Sequence, residues 1–292
     1  MPETTERTGR HVRGLDALEL QPGRAGDENG PARVAARVWS ATWPKLAAIT
    51  LLLVAWQALA WSGWRSEYVF PGPDRVLPTL LAEVTGPEFW TAVQVTVRRA
   101  LTGFALALAV GVLIGLAVTR SRALRSAIGS LVTGLQTMPS IVWFPFAMLL
   151  YGITESAIMF VIVLGAAPSI ATGLTSGIDH VSPSLLRAGR TMGLRGLQHY
   201  TLLIVPAALP MFVSGLKQGW AFAWRSLMAG ELLVIINQQN SIGWALSQAR
   251  QLNDAERLLS YVIVVLLIGV LVDVFFNWAD RALRRRWGLT QD

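Results

Sequence analysis

The chain has 292 residues, of which 53% are apolar and only 15% are charged, whereas soluble domains carry about 25% charge, so the composition predicts an integral membrane protein. It contains no cysteine, which excludes disulfides and thiolate metal sites, and its three histidines lie too far apart in sequence to form a metal-spaced pair. The net charge of +7 does not indicate a nucleic-acid partner, because the arginines cluster at the ends of apolar segments.

The N-terminal residues 1–44 are polar and lack the apolar run that a secretory signal requires. They predict a disordered cytoplasmic tail. Residues 45–88 then hold a first membrane helix and an external loop, and residues 89–280 form the main transmembrane domain. Residues 281–292 are a second, basic cytoplasmic tail.

Six segments are long and apolar enough to span a bilayer, which takes about 20 residues. They are residues 46–64, 92–118, 128–151, 157–178, 202–222 and 258–279. The fold class is therefore an all-α membrane protein with about six transmembrane helices. Prolines interrupt the third, fourth and fifth segments, and the carbonyls they free are tolerated only where a helix is buried or lines a cavity.

Basic residues set the expected orientation, because they accumulate in cytoplasmic loops. They precede the first segment and follow the second, the fourth and the sixth, four places that fall on one side of a six-span protein. Both termini are therefore expected in the cytoplasm. Arg98 and Arg99 do not fit, since they lie near the outer end of the second segment, and they require snorkelling or burial between helices.

Glycine pairs at four-residue spacing predict close helix contacts, because backbones without Cβ atoms can approach each other in lipid. The pairs are Gly111 with Gly115, Gly173 with Gly177, and Gly215 with Gly219. Chance recurrence in glycine-rich segments is the alternative explanation.

The proline break in the third segment is one candidate for the lining of a translocation path. The candidates there are Met138, Pro139, Ser140 and Trp143. A kink that only improves packing is the alternative.

The fifth segment carries a second set of path candidates, namely Lys217, Trp220, Trp224, Arg225 and Glu231. Lys217 and Arg225 lie about 80° apart around a helix and together favour an anion. Ion pairing is the alternative, for instance of Arg225 with Glu231 or of Lys217 with Asp273. Trp220 and Trp224 are one turn apart and are candidates for a gate.

A polar, basic loop between the fourth and fifth segments contains a short predicted helix. Ser182 followed by Pro183 is a helix start, and Gly193 is suited to end a helix that runs to about Met192. A helix of about ten residues is not stable alone in water, so it must dock on its own domain or on a partner.

The spacing of this loop resembles the EAA loop of ABC-importer permeases, whose pattern is Glu-Ala-Ala, three residues, Gly, nine residues, Ile-x-Leu-Pro. Here the chain reads Arg187-Ala188-Gly189, three residues, Gly193, nine residues, and then Leu203-Ile204-Val205-Pro206. The likeness extends over about residues 68–288. Within it, Phe70-Pro-Gly-Pro73, Tyr151-Gly-Ile153, Trp224 and Glu231 resemble the sulfonate, taurine and nitrate branch of the family.

The resemblance implies a type I permease that imports a small anionic solute by alternating access. Its implied partners are an ABC ATPase subunit, an extracytoplasmic binding protein, the lipid membrane, and a second copy of the chain or a related permease. The implied ATPase-coupling residues are Leu185, Leu186, Arg187, Ala188, Gly189, Arg190, Thr191, Met192, Gly193, Leu194 and Pro206. Arg187 stands where the family has an acidic residue, so the partner's groove differs at this point or the position faces water.

The chain is not expected to hydrolyse ATP or to bind a cofactor itself. Its two lysines, Lys45 and Lys217, both lie outside a Gly-Lys-Ser/Thr phosphate loop. ATP would therefore be used by the partner subunit. A stand-alone secondary transporter or channel is the alternative function, because broken helices and intramembrane charges suit that class as well.

Overall fold

The computed structural model describes residues 31–236 and 239–286. The chain divides into two compact units, Met1–Leu59 and Ala60–Asp292. The described part of the first unit belongs to helix α1, Pro31–Trp61. The tail predicted for residues 1–44 falls partly outside the described residues, but its last residues are helical because the stretch after Pro31 is rich in Ala and Arg.

The regular elements in the described part of the second unit are all helices, joined by short non-helical stretches. They are α2 (Pro73–Thr85), α3 (Pro87–Arg120), α4 (Arg122–Thr137), a 3₁₀ turn (Ser140–Trp143), α5 (Phe144–Tyr151), α6 (Glu155–Asp179), α7 (Pro183–Thr191), α8 (Leu197–His199), a π-helical turn (Tyr200–Ile204), α9 (Val205–Leu233), α10 (Ile242–Gln251) and α11 (Ala255–Arg286).

Within the described residues, five helical stretches are long and apolar enough to cross a membrane. They are Thr42–Trp61, Pro87–Arg120, Glu155–Asp179, Leu197–Leu233 and Ala255–Leu283. They correspond to five of the six predicted segments, so the all-α membrane fold is confirmed.

The third predicted segment, residues 128–151, is not one helix. Helix α4 ends before Met138, whose extended backbone (φ −82°, ψ 130°) is the conformation that a following proline imposes. Pro139 then leads into the 3₁₀ turn, and α5 begins beside Pro145 as a short apolar helix. The interruption predicted from the prolines is therefore present, and the two prolines, six residues apart, divide the segment into separate helices rather than bend a single one.

Helix α6 lies at the centre of the second unit, between α3 and α9. Its inner residues, including Ile158, Ile162 and Ile170, are fully buried and pack with Phe144 and Leu227. A smaller apolar cluster joins α3, α10 and α11 around Phe89, Ile242 and Tyr261. There the Tyr261 hydroxyl donates to Glu83 Oε2 (2.7 Å), and Arg257 Nε lies 3.0 Å from Glu83 Oε1.

All three glycine pairs lie at helix contacts, which confirms their prediction. A Cβ on Gly173 would come within 2.5 Å of the Gly215 Cα, and one on Gly177 within 2.6 Å of the Ala208 carbonyl oxygen. Gly111, Gly115 and Gly219 likewise face α6 or its side chains at 2.7–2.9 Å. Such distances are too short for any side chain, so these glycines set the spacing of α3 and α9 against α6.

Candidate functional site

The short helix predicted in the polar loop is present as α7. The Ser182 hydroxyl caps it by accepting a hydrogen bond from the Leu185 amide (3.3 Å), and Pro183 occupies the first turn. At the other end the Leu194 amide donates to the Gly189 carbonyl (3.0 Å), while Gly193 takes a left-handed conformation with φ +82°. This pairing satisfies the last carbonyls of the helix and turns the chain sharply.

One side of α7 rests on the π-helical turn. Gly189 is buried there, and a Cβ on it would overlap Leu203 Cδ1 and lie 3.5 Å from His199 Nδ1. Leu203 is itself buried. The family pattern has alanine at position 189, so this chain has a smaller residue at the point where Leu203 comes closest.

Most of α7 apart from Gly189 is exposed, including residues that lie on the same side of the helix as Gly189. Met192 is 81% exposed and Leu185 is 42% exposed, although both side chains are apolar. Arg187 and Arg190 lie on the same short helix, and neither forms an ion pair with a described residue. A helix that is anchored at Gly189 and leaves apolar and basic residues exposed around that point is suited to dock against a second protein.

A buried ionic network lies at the other end of the unit, near the start of α3 and the end of α9. Arg99 Nη1 lies 3.1 Å from Glu231 Oε1, and both side chains are almost completely buried. Arg99 also donates to Glu155 Oε1 through Nε (3.1 Å) and to the Gln239 amide oxygen. Thr96 donates to Glu231 Oε2 at 2.9 Å. Burial of a charge is tolerated when it is paired and hydrogen-bonded in this way.

The same network caps helix α10. The Gly243 amide donates to Glu231 Oε2 (3.0 Å), and the Ile242 amide donates to the Thr96 hydroxyl (3.0 Å). Ser241 caps the Trp244 amide with its own hydroxyl (3.2 Å). The first amides of a helix have no partner within the helix, so a carboxylate and two hydroxyls satisfy them here.

Glu231 is therefore a buried structural anion and does not line an open surface. The predicted pairing of Arg225 with Glu231 was wrong, because Arg99 holds Glu231 instead. The expectation of burial was correct for Arg99, whereas its neighbour Arg98 is exposed. The sequence indicated charges within the membrane at Arg99 and at Glu231 but not that they pair with each other. It also gave no indication of the roles of Thr96 and Gly243.

The predicted pairing of Lys217 with Asp273 is confirmed. Lys217 Nζ lies 2.8 Å from Asp273 Oδ1 and donates to Asn277 Oδ1, also at 2.8 Å. Asn277 in turn donates to Asp273 Oδ2 (2.7 Å). This cluster links α9 with α11, and the pair carries no net charge.

One stripe of α9 is exposed, and it carries more polar side chains than a helix surface that faces lipid tails. Its exposed residues recur at helical spacing, and they are Met211, Ser214, Gln218, Ala221, Arg225 and Leu232. Arg225 Nε donates to the Ala221 carbonyl (3.0 Å), and the guanidinium lies 4.7 Å from the Phe222 ring centroid. No described carboxylate pairs with Arg225, so its charge is available to a ligand.

The two tryptophans predicted near the path differ in their surroundings. Trp220 is 9% exposed and packs edge-on against Phe104 at 5.3 Å between centroids, so it belongs to the core. Trp224 is partly buried and stacks on Trp220 at 6.5 Å.

The proline break lies against α9. The Ser226 hydroxyl donates to the Ser140 hydroxyl (2.8 Å), which ties the 3₁₀ turn to the inner side of α9. Met138 and Pro139 are exposed, and Trp143 is partly buried. The break thus brings an irregular, partly open backbone next to the helix that carries Arg225.

This helical membrane protein has a short exposed helix between two spans, broken helices, and an unpaired cation, Arg225, in a membrane-spanning helix. These features are typical of transport subunits. The comparison with known families makes this specific. Residues 107–285 match the binding-protein-dependent transport system inner membrane component family, and the chain belongs to that family. The family comprises type I ABC importer permeases, so the stand-alone transporter considered from the sequence is not supported.

Curated relatives align over most of the chain. The taurine transport system permease protein TauC of Escherichia coli is 24% identical over 84% of this chain and 90% of its own length. The nitrate import permease protein NrtB of Synechocystis is 27% identical over 80% of this chain and 86% of its own. SsuC of Bacillus subtilis is named as an aliphatic sulfonates transport permease. It is 26% identical over 82% of this chain and 87% of its own length.

Solved structures share the fold. The MetNI methionine ABC transporter in an inward-facing conformation superposes with a TM-score of 0.51, at 21% identity over 66% of this chain and 93% of that one. An amino acid ABC transporter crystallised with histidines gives a TM-score of 0.55, at 15% identity over 70% and 96%.

Proposed function

We propose that this permease imports a small anionic solute, together with a separate ATPase subunit and an external binding protein. The observation that carries the choice of an anion is the unpaired Arg225 on the exposed stripe of α9. The names of the three relatives support it, because sulfonates, taurine and nitrate all present an anionic oxygen group. Lys217 adds little to this selectivity, since Asp273 neutralises it.

The exposed stripe also favours a pair of permease subunits. Ser214, Gln218 and Arg225 are costly to hold against lipid tails, so this face is expected to line a water-filled path. A second copy of the chain, presenting the same stripe, would enclose such a path from the other side. The proline break beside Ser226 would lie along it, with Met138, Pro139 and Trp143 at its edge.

Helix α7 is proposed as the contact with the ATPase. The contact of its Gly189 with Leu203 of the π-helical turn fixes it to the start of α9, so a displacement of the helix is passed to the transmembrane domain. The exposed residues Leu185, Arg187 and Met192 are available to the partner. The ATP is bound and hydrolysed on the partner, and both termini of this chain lie on the same cytoplasmic side as α7.

The test of this proposal is uptake by proteoliposomes that contain the permease, its ATPase and its binding protein. Arg225→Gln is expected to lower uptake of an anionic solute such as a sulfonate or nitrate by about tenfold, as loss of one charged contact predicts. Arg281→Gln is the matched control, because Arg281 Nε donates to the carbonyl four residues earlier in the same way (3.1 Å). Equal uptake by both variants would refute an anion-selective role for Arg225.

A further inference from the structure

A groove of about 550 Å³ runs between the ends of α3 and α6 and the start of α9. Its volume lies within the range of about 300–1,000 Å³ that ligand sites occupy. The walls are apolar along most of the length, and they include Val112, Leu116, Leu174, Ile204 and Phe212. Val112 precedes the last residue of α3 by eight positions, so the apolar part extends about 12 Å along the helix.

The polar groups of the groove are gathered at one end, where the transmembrane helices finish. They are Thr119, Arg120 and Tyr200. The Thr119 hydroxyl already donates to the Leu116 carbonyl (2.8 Å). Arg120 forms no ion pair with a described residue, in contrast to Arg125, which lies 2.9 Å from Asp179. The Arg120 charge and the exposed Tyr200 ring therefore remain available to a ligand.

A second cavity of about 380 Å³ adjoins this polar end, since Tyr200 lines both. It is bordered by Arg190, Arg195 and His199, and the two arginines form no ion pair with the described part of the chain. Arg120 thus borders the apolar groove, and Arg190 and Arg195 border the adjoining cavity, with no described carboxylate paired to any of the three. Guanidinium groups bind phosphate oxygens in pairs of hydrogen bonds.

We propose that the groove binds an anionic phospholipid of the membrane. One acyl chain lies along Leu116, Ile204 and Phe212, and the phosphate lies between Arg120 and Tyr200, with Arg190 and Arg195 next to the headgroup. The position fits, because basic pockets between transmembrane helices bind anionic headgroups at the level of the membrane surface. An acidic protein segment would match the charges but would leave the apolar length of the groove unfilled.

This site has a consequence for coupling. Arg120 belongs to α3, Tyr200 to the π-helical turn and Arg190 to α7, so one lipid would contact the transmembrane domain and the docking helix together. The lipid would therefore stabilise the arrangement of α7 against the ends of the spans.

The experiment is a titration of the delipidated full chain in detergent, followed by native mass spectrometry. The probes are phosphatidylglycerol and phosphatidylcholine with identical acyl chains. Wild-type protein is expected to bind phosphatidylglycerol more tightly. The double variant Arg120→Gln/Arg195→Gln is expected to lose about thirtyfold in affinity for phosphatidylglycerol. Each of the two charges removed contributes about fivefold to binding at an anionic membrane surface.

Two further variants make the result specific. The variant Arg281→Gln/Arg285→Gln removes two positive charges from α11 instead, and it is expected to keep the preference for phosphatidylglycerol over phosphatidylcholine. Val205→Trp fills the rim of the groove from an exposed position and is expected to weaken phosphatidylglycerol binding with every arginine intact. Thermal unfolding of each variant without lipid checks that it is folded.

Equal binding of the two lipids by the wild-type protein would overturn the proposal. So would an unchanged preference in the Arg120→Gln/Arg195→Gln variant. If that variant keeps its lipid preference but no longer co-purifies with an ATPase subunit, the arginines serve protein docking instead, and the lipid site is refuted while the proposed transport function stands.

Discussion

Arg99 and Glu231 form an ion pair, 3.1 Å between Nη1 and Oε1, that is shielded from solvent although the residues lie 132 positions apart in the chain. Through it α3 is held against the end of α9, and through Glu231 the start of α10 is held as well. Pairs of this kind add little net stability when complete, because desolvation offsets the attraction, but they are costly to break from one side. This asymmetry makes the pair a sensitive point of the fold.

Replacing Arg99 with Ala is expected to destabilise the protein by about 3–5 kcal/mol, because Glu231 would keep a buried, unpaired charge. The measurement is thermal or denaturant-induced unfolding of the purified protein in detergent. Arg98→Ala is the control, since Arg98 is exposed and only 3.8 Å from Glu155, where a surface pair contributes at most about 1 kcal/mol. Similar losses in the two variants would contradict the assigned role of the network.

Gly215→Ala tests the contact between α6 and α9. The new Cβ would lie 2.6 Å from the Gly173 Cα, a backbone atom that cannot move unless the helices separate. We expect a loss of about 1–3 kcal/mol, the usual cost of overpacking. Gly134→Ala is the matched control, because nothing lies within 4 Å of the position of its Cβ. That control is expected to be neutral or slightly stabilising, and a neutral Gly215→Ala would show that the helices pack differently.

The local features of the chain were predictable from the sequence. Ser182 and Gly193 mark the ends of α7 through their own side-chain and backbone chemistry, and the glycine pairs mark the helix contacts through spacing alone. Long-range pairing was not predictable in the same way. Nothing local to Glu231 indicates that Arg99 rather than Arg225 is its partner, because Arg225 is closer in sequence and has the same charge.

The break at Pro139 shows a different limit. Hydropathy alone joins residues 128–151 into one segment, since the average over a window ignores the backbone requirement of each proline. The prolines predict the break itself, but the contact of Ser140 with Ser226 was not predictable, because it depends on a helix that lies 86 residues further along.

Gly189→Val is expected to displace α7 from the π-helical turn. The position of its Cβ overlaps Leu203 Cδ1, so any side chain must push Leu203 away or lift the helix. Folding of the spans should persist, because α7 packs outside the core, whereas the stimulation of ATPase activity by the binding protein should fall at least about tenfold. Gly189→Val combined with Leu203→Ala supplies the missing space and is expected to restore most of the stimulation. Failure of this rescue would argue against the packing of Gly189 on Leu203.

Gly193 offers a test of the exit from α7 that depends on backbone conformation alone. Its φ of +82° suits glycine, and no atom lies within 4 Å of the position of a Cβ, so a substitution there is strained without being crowded. Gly193→Val is expected to uncouple ATP hydrolysis from uptake, because a β-branched residue disfavours the left-handed turn that the helix end requires. Gly193→Asn is the control, since asparagine tolerates this conformation far better, and its uptake per ATP hydrolysed should remain near the wild-type value. If the two variants behave alike, then the size or polarity of the side chain at the partner surface, and not the turn, controls coupling at this position.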